Sequence, residues 1–377
     1  MDQIWALGRT RREPSRPGPF PFAFPVGRGP VTAPSEFERA LGALYGLAIG
    51  DALGMPTQLL SPEELDRRFG AITWFQPAPD NHPIAAGLPA GHITDDTEQA
   101  LLIARLLVDG RGRIDPLTLA NALADWERDM VRRGSLDLLG PSTQRAISAV
   151  AAGISVEEAG RFGDTNGAAM RVTPVGIARP VNDFDGLLQA VVDASGVTHN
   201  TTLALAGASA VAAAVSAGVG GASLDDAIDA GLSAARLGRN HGSWVAGADV
   251  GARIEAALAG VGGLGEDELL RFIRSVVGTS VATQESVPAA FALLRAADDG
   301  GAWHACLLAA SLGGDSDTIA AITGAIAGSC QGIGAFPKEA LDVVKTVNSL
   351  ELEPLSEQLL LLRTEFGRGY AARGSLK

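Results

Sequence analysis

Gly42-Ala-Leu-Tyr-Gly46-Leu-Ala-Ile-Gly50-Asp51-Ala-Leu-Gly54 carries a glycine at every fourth position, and Gly324-Ala-Ile-Ala-Gly328-Ser-Cys-Gln-Gly332 does so again late in the chain. A spacing of four keeps residues on one face of an α-helix. Each interior glycine costs about 1 kcal/mol of helix propensity relative to alanine. Seven of them need a compensation, and a bare backbone groove for close helix contact supplies one. Membrane helices use the same small-residue spacing, but Asp51 and Gln58 on the first segment favour a water-soluble core. The pair therefore predicts two helices packed backbone to backbone.

The rest of the chain agrees with that reading. Of 377 residues, 47 are Gly and 64 are Ala, while aromatics make up only 5%. Small side chains fill little volume, so such an interior must bring backbones together. Glycine shows no three-residue period, which excludes collagen. With 46% hydrophobic and 19% charged residues there is ample material for a core and no case for global disorder. From Ser35 onward apolar residues recur at three-to-four spacing and β-branched alternation is scarce. Helices are expected at roughly 35–53, 61–68, 95–109, 115–131, 141–152, 183–195, 199–217, 223–236, 243–259, 265–277, 286–299, 301–312, 316–331, 337–347 and 354–366, broken at Gly/Pro/Asp clusters. No composition shift or fixed repeat divides residues 35–377, so one all-α domain is expected there.

Residues 1–34 differ. They hold seven prolines and five arginines against two acids, and the Pro/Phe alternation of Pro17–Pro25 is no signal-peptide core. They read as a flexible or surface-bound arm. The longest uncharged run, Ala194 to Leu224, is Ala-rich with interspersed Thr and Ser, and reads as a buried helix rather than a membrane span. The net charge of −13 argues against nucleic-acid binding and is compatible with cations. Two cysteines, Cys306 and Cys330, make no disulfide framework; a cytoplasmic location is the expectation.

Two acidic clusters carry the chemistry. His92-Ile-Thr94-Asp95-Asp96-Thr97-Glu98 precedes a Leu-rich helix, and Gly313-Gly-Asp315-Ser-Asp317-Thr318 precedes the second glycine-striped one. Each alone reads as a helix cap, with Asp95 and Glu98 spaced as in a capping box. Together they offer four carboxylates and two threonine oxygens, a hard-oxygen set suited to Mg²⁺ or Mn²⁺. Four acids packed without a cation would repel one another and hold protons. Independent caps and a shared metal site both remain open on spacing alone.

Five segments in order resemble the ADP-ribosylglycohydrolase family: Gly46-Leu-Ala-Ile-Gly-Asp51-Ala-Leu-Gly-Met-Pro56, Thr94-Asp95-Asp96-Thr97, Asn166-Gly-Ala-Ala-Met-Arg171-Val-Thr-Pro174, Thr198-His199 and Gly313-Gly-Asp315-Ser-Asp317-Thr318. The resemblance implies an all-α orthogonal bundle around a central binuclear centre of two Mg²⁺ or Mn²⁺ ions. Thr94, Asp95, Asp96, Asp315, Asp317 and Thr318 would be its ligands. It also implies hydrolysis of a ribosyl C1 bond, the metals binding ribose hydroxyls and ordering the attacking water. The substrate would be a small ribosyl compound or an ADP-ribosylated protein. Asp164, Thr165, Asn166, Gly167, His199 and Gln58 are the positions carried over for substrate contact.

Two departures bear on that expectation. Many family members have Glu where this chain has Gln58, and Gln exchanges no proton near neutral pH. Proton transfer then falls to Asp95, Asp96 or Asp317, or the protein binds its ligand without turnover. The family often has Gly before the loop Asn, where this chain has Asp164-Thr165, and an acid there repels pyrophosphate. Both changes point toward a smaller uncharged substrate such as a nucleoside. Arg171 reads either as a phosphate contact or as a structural partner of the acids. Trp244 reads as core or as a stacking platform. The Pro77–Pro89 loop reads as a lid or as a plain connection.

Overall fold

A computed structural model describes residues 33–136, 139–297 and 300–374. The expected arm at 1–34 lies outside the described residues except for its last two positions. The described helices are α1 (Glu36–Gly54), α2 (Pro62–Arg68), α3 (Asp95–Asp109), α4 (Pro116–Arg133), α5 (Pro141–Ala151), α6 (Val156–Ala159), α7 (Gly167–Met170), α8 (Thr173–Ala178) and α9 (Phe184–His199). They continue as α10 (Thr202–Val219), α11 (Leu224–Gly238), α12 (Val250–Gly260), α13 (Glu266–Phe272), α14 (Thr283–Ala296), α15 (Gly301–Ala310), α16 (Ser316–Gln331), α17 (Lys338–Asn348) and α18 (Glu353–Gly374). A π-helical turn, Ile273–Val277, extends α13. Among the described residues there is no strand, only isolated bridges at Thr165–Ala282 and Thr201–Ser243.

The glycine stripes face each other. α1 and α16 run antiparallel, with Gly42 against Gly328 and Gly332, Gly46 against Gly324, Gly50 against Ala320, and Gly54 against Ser316 and Asp317. A methyl on any of the four α1 glycines would land on α16 backbone, so the seam admits only hydrogen at those positions. Loss of helix propensity is offset by dispersion across two bare backbones. The last contact of the seam brings the C-terminus of α1 to the N-terminus of α16, and there the carboxylates gather. α10 fills the centre. It is long and apolar enough to cross a membrane, yet 94% of it is buried within this fold, as a core helix.

Several expected boundaries move, each for a local reason. α12 begins at Val250, not 243, because Asp249 caps it by accepting from Ala252 N at 2.8 Å. Ser243 instead pairs through its backbone with Asn200 and Thr202. α14 begins at Thr283 and runs through Pro288. The Gln284 carbonyl that Pro288 leaves without its helical donor accepts from Arg253 Nε at 3.1 Å. α9 runs to His199 rather than 195. The short helices α6, α7 and α8 were not anticipated; four to six residues carry too little periodicity to announce themselves.

Candidate active site

Asp51, in the last turn of α1, is fully buried and caps α3 from outside. Its carboxylate accepts from Thr94 N at 2.9 Å, Thr94 Oγ1 at 2.7 Å, Thr97 N at 3.2 Å and Thr97 Oγ1 at 2.5 Å. Thr94, the local N-cap residue, makes no side-chain cap bond of its own. The amides left open at a helix start need an acceptor, and an anion there also meets the positive end of the helix dipole. The capping box spaced by Asp95 and Glu98 does not form. Glu98 turns away to Trp126 Nε1 at 2.7 Å and to Arg133. Burial pushes the Asp51 carboxyl up to about 6, against the lowering effect of its donors.

With α3 capped by Asp51, Asp95 and Asp96 are released for other work. Asp96 is 1% exposed. Its Oδ2 accepts from Thr318 Oγ1 at 3.2 Å, and its buried Oδ1 has no hydrogen-bond partner. Burial, and then the charges of Asp95, Asp317, Asp51 and Asp315, hold Asp96 well above the usual carboxylate range. Asp315, the residue before α16, accepts from Asn166 Nδ2 at 2.5 Å and is pushed up to about 6 by burial. Asp317 is buried on the first turn of α16, where a methyl on Gly54 would come within 2.5 Å of its Cα. Asp95 is the half-buried member of the group, with Oδ2 accepting from Gln99 Nε2 at 2.9 Å.

Gln58 lies in the turn after α1, 4% exposed, with its Nε2 buried and unpaired. The next residues of that turn clasp the glycine turn that launches α16: Leu59 N donates to Gly314 O at 2.6 Å, and Gly314 N donates to Leu60 O at 3.2 Å. Gly313 and Gly314 have φ of 69° and 64°, a left-handed pair that aims Asp315 inward. The Pro77–Pro89 loop is seated rather than open: Ala78 and Ala85 form a small apolar cluster with Met55, and His82 Nε2 donates to Gln58 O at 2.8 Å.

The Asp164–Gly167 loop is laid along residues 279–283, a segment that sequence reasoning missed. Asn166 N donates to Val281 O at 2.9 Å, and Thr283 Oγ1 donates to Asp164 O at 2.8 Å. Asn166 Nδ2 also donates to Ser286 Oγ at 3.0 Å, and Asp315 N donates to Thr279 O at 2.7 Å. The available signal was Gly278-Thr-Ser-Val-Ala-Thr283, a hydroxyl-rich turn leading into a helix like the acidic clusters but without acids. His199 is fully buried between Thr198 Oγ1, at 2.7 Å from Nδ1, and Thr165 Oγ1, at 3.0 Å from Nε2. Burial, with Arg171 and Arg145 nearby, holds it well below the usual histidine range, so it is neutral. Arg171 is also fully buried and reaches Gln99 and Thr198 rather than solvent. Trp244 is 79% exposed, so it is not core.

The donor chemistry fits a hard divalent cation: carboxylate and hydroxyl oxygens only, mutually repelling acids, and a buried Asp96 Oδ1 lacking a hydrogen-bond donor. Among the described residues, no three Asp, Glu, His or Cys side chains stand close enough around one point to cage an ion. The donors are gathered, but a finished coordination cage is not formed.

Residues 32–368 match the profile of the family described as ADP-ribosylglycohydrolase. This chain belongs to the ADP-ribosylglycohydrolase family. It is accordingly a glycosidic-bond hydrolase. It is 36% identical to the YegU protein of Escherichia coli K12, over 87% of this chain and 98% of that one. It is 28% identical to the ADP-ribosylarginine hydrolase Tri1 of Pseudomonas putida, over 87% of this chain and 80% of that protein. With the ADP-ribosyl-[dinitrogen reductase] glycohydrolase of Rhodospirillum rubrum it shares 32% identity, over 46% of this chain and 55% of the relative. A solved structure described as an ADP-ribosylglycohydrolase-related protein complex superposes with a TM-score of 0.60 at 26% identity, covering 87% of this chain and 99% of that one. The family's all-α architecture thus holds here, and the carboxylates lie at helix ends brought together by the α1–α16 seam.

Proposed function

We propose that this ADP-ribosylglycohydrolase cleaves the ribosyl C1 bond of an ADP-ribosyl conjugate with the help of divalent metal. The carrying observation is the buried Asp96 carboxylate: one oxygen has no hydrogen-bond partner, and four other carboxylates crowd it. A buried carboxyl so placed either keeps its proton or ionises against a cation. Thr94, Asp95, Asp96, Asp315, Asp317 and Thr318 would hold Mg²⁺ or Mn²⁺. Bound there, the metal would polarise ribose hydroxyls and lower the pKa of a water.

The chain's own residues divide the remaining work. Asp95, Asp96 and Asp317 are the groups that accept a proton, and Asp95, half-buried, is the best placed to meet solvent. Developing positive charge on the ribose ring falls among these carboxylates, which favours an oxocarbenium-like transition state. Gln58 Nε2, a buried donor without a partner, binds an acceptor oxygen but moves no proton. Asn166 orients Asp315, and Asp164, Thr165 and Gly167 frame the loop beside it. His199 acts from behind that loop, through Thr165. The relatives named for ADP-ribosylarginine and ADP-ribosylated dinitrogenase reductase support a conjugate substrate, with an ADP-ribosylated protein or a small ADP-ribosyl compound as partner.

The test is hydrolysis of ADP-ribosylarginine, an ADP-ribosylated peptide and uncharged nucleosides, each with EDTA, Mg²⁺ or Mn²⁺. Metal-dependent turnover of the conjugates, abolished in Asp317→Asn, is expected. Turnover of nucleosides alone transfers the assignment to that class. Tight ADP-ribose binding without turnover of any substrate overturns the hydrolytic mechanism.

A further inference from the structure

A continuous chain of side chains runs behind the site from one acidic cluster to the substrate loop. Gln99 Nε2 donates to Asp95 Oδ2 at 2.9 Å. Gln99 Oε1 accepts from Arg171 Nη1 at 3.1 Å, and Arg171 Nη2 donates to Thr198 Oγ1 at 2.6 Å. Thr198 Oγ1 meets His199 Nδ1 at 2.7 Å, and His199 Nε2 meets Thr165 Oγ1 at 3.0 Å. Beside Thr165, Asn166 donates to Asp315 of the second cluster. The links come from α3, the turn after α7, the end of α9 and the loop at 163–167, so no single element holds them.

We propose that Gln99 and Arg171 are positioning residues that fix Asp95 and the 163–167 loop relative to each other as one unit. This inference rests on the reading of Asp95 as a working carboxylate. Three features support it. Arg171 is fully buried, and a guanidinium in that place is far costlier than an apolar side chain of equal volume. Gln99 is also fully buried, and its two neighbours demand opposite ends of the amide: the carboxylate takes N–H and the guanidinium takes C=O. Rotation of the amide breaks both contacts at once, so the link transmits orientation. His199 cannot swing aside, because Gly167 packs on its ring and a methyl there would lie 2.9 Å from Cε1. Groups that orient a working carboxylate in this way typically change activity or metal affinity 10–100-fold when removed.

The experiment compares Gln99→Met, Gln99→Glu, Thr198→Val and the Gln99→Met/Thr198→Val double variant with wild type. Readouts are kcat and KM on whichever ribosyl substrate the wild type turns over, Mn²⁺ affinity by calorimetry, and backbone amide exchange. Gln99→Met is expected to lower kcat by about 10–100-fold with KM within about threefold, and to weaken Mn²⁺ binding. It should also speed exchange in the 160–168 peptide, which it does not touch. Gln99→Glu keeps the acceptor for Arg171 but sets a carboxylate against Asp95, so kcat falls while loop exchange stays at the wild-type rate. The double variant should be no worse than the worse single. Multiplicative losses, or loop exchange unchanged in Gln99→Met, overturn the proposal. A wild type that binds no Mn²⁺ overturns the metal reading alone, and a wild type without turnover leaves amide exchange to decide the relay.

Discussion

Replacing Gly46 by alanine tests the seam on which the whole site is hung. Gly46 is buried in α1, and a Cβ there would lie 2.8 Å from the carbonyl carbon of Gly324 and 2.9 Å from Phe336 Cζ. Carbon atoms in contact prefer about 3.5–4.0 Å, so α1 and α16 must part by roughly 1 Å. Two terms of opposite sign compete. Alanine gains about 1 kcal/mol of helix propensity over glycine. Overpacking costs about 1–3 kcal/mol, and the cost sits at the top of that range because backbone has no other rotamer to adopt. The net is a loss of about 2 kcal/mol. Over the ~340 residues of the compact unit, an unfolding entropy of about 2.1 cal/mol/K per residue converts this to a Tm about 3 °C lower. Gly196 is the control. It lies inside α9 with only Val192 Cγ1 within 4 Å, at an ordinary 3.9 Å. Gly196→Ala should therefore keep the propensity gain and raise Tm by about 1 °C. Scanning calorimetry of both variants decides. A Gly46→Ala protein that melts at or above wild type would show that the stripe is not a backbone-to-backbone contact.

Asp51→Ala leaves the Thr94 and Thr97 amides buried without an acceptor and should cost about 4 kcal/mol in urea unfolding; Asp51→Asn, retaining one oxygen, should cost about half. Equal losses would count against the cross-helix cap. His199 is held neutral below the usual histidine range, whereas in the unfolded chain it protonates below about 6.5. Its contribution is thus complete above pH 6.5 and is lost as pH falls, at a slope of about 1.4 kcal/mol per pH unit. His199→Gln should flatten that limb between pH 6.5 and 5; a stability difference from wild type that is constant over this range refutes the buried neutral imidazole. Burial pushes the thiols of Cys306 and Cys330 up to about 12 and about 11, so neither should react with a maleimide at pH 7 in the folded protein, and both should after unfolding.

What the sequence made legible and what it concealed divide along a physical line. The glycine stripes announced their partner because backbone contact demands the same residue at the same period on both helices. The acidic clusters were legible because loop-to-helix junctions concentrate acids in two places at once. Asp51 was not, since capping a helix from a residue more than 40 positions away leaves no spacing to read. Gln99, Thr279, Val281 and Ser286 were equally silent. Two of them act through a side chain that looks ordinary in its own helix, and two through backbone carbonyls that carry no residue identity at all. The Asp51 cap changes how the motif Thr94-Asp95-Asp96-Thr97 is understood. On sequence alone its acids competed between capping α3 and holding a cation. With a third carboxylate taking the capping bonds, the motif's own acids are not needed to cap α3, and Asp96 stands buried with an oxygen that receives no hydrogen bond. A fold that needed those acids only to start a helix would not also bury Asp51 to do the same job. The α1–α16 seam, which delivers Asp51 to the start of α3, thereby frees Asp95 and Asp96 for the role proposed above.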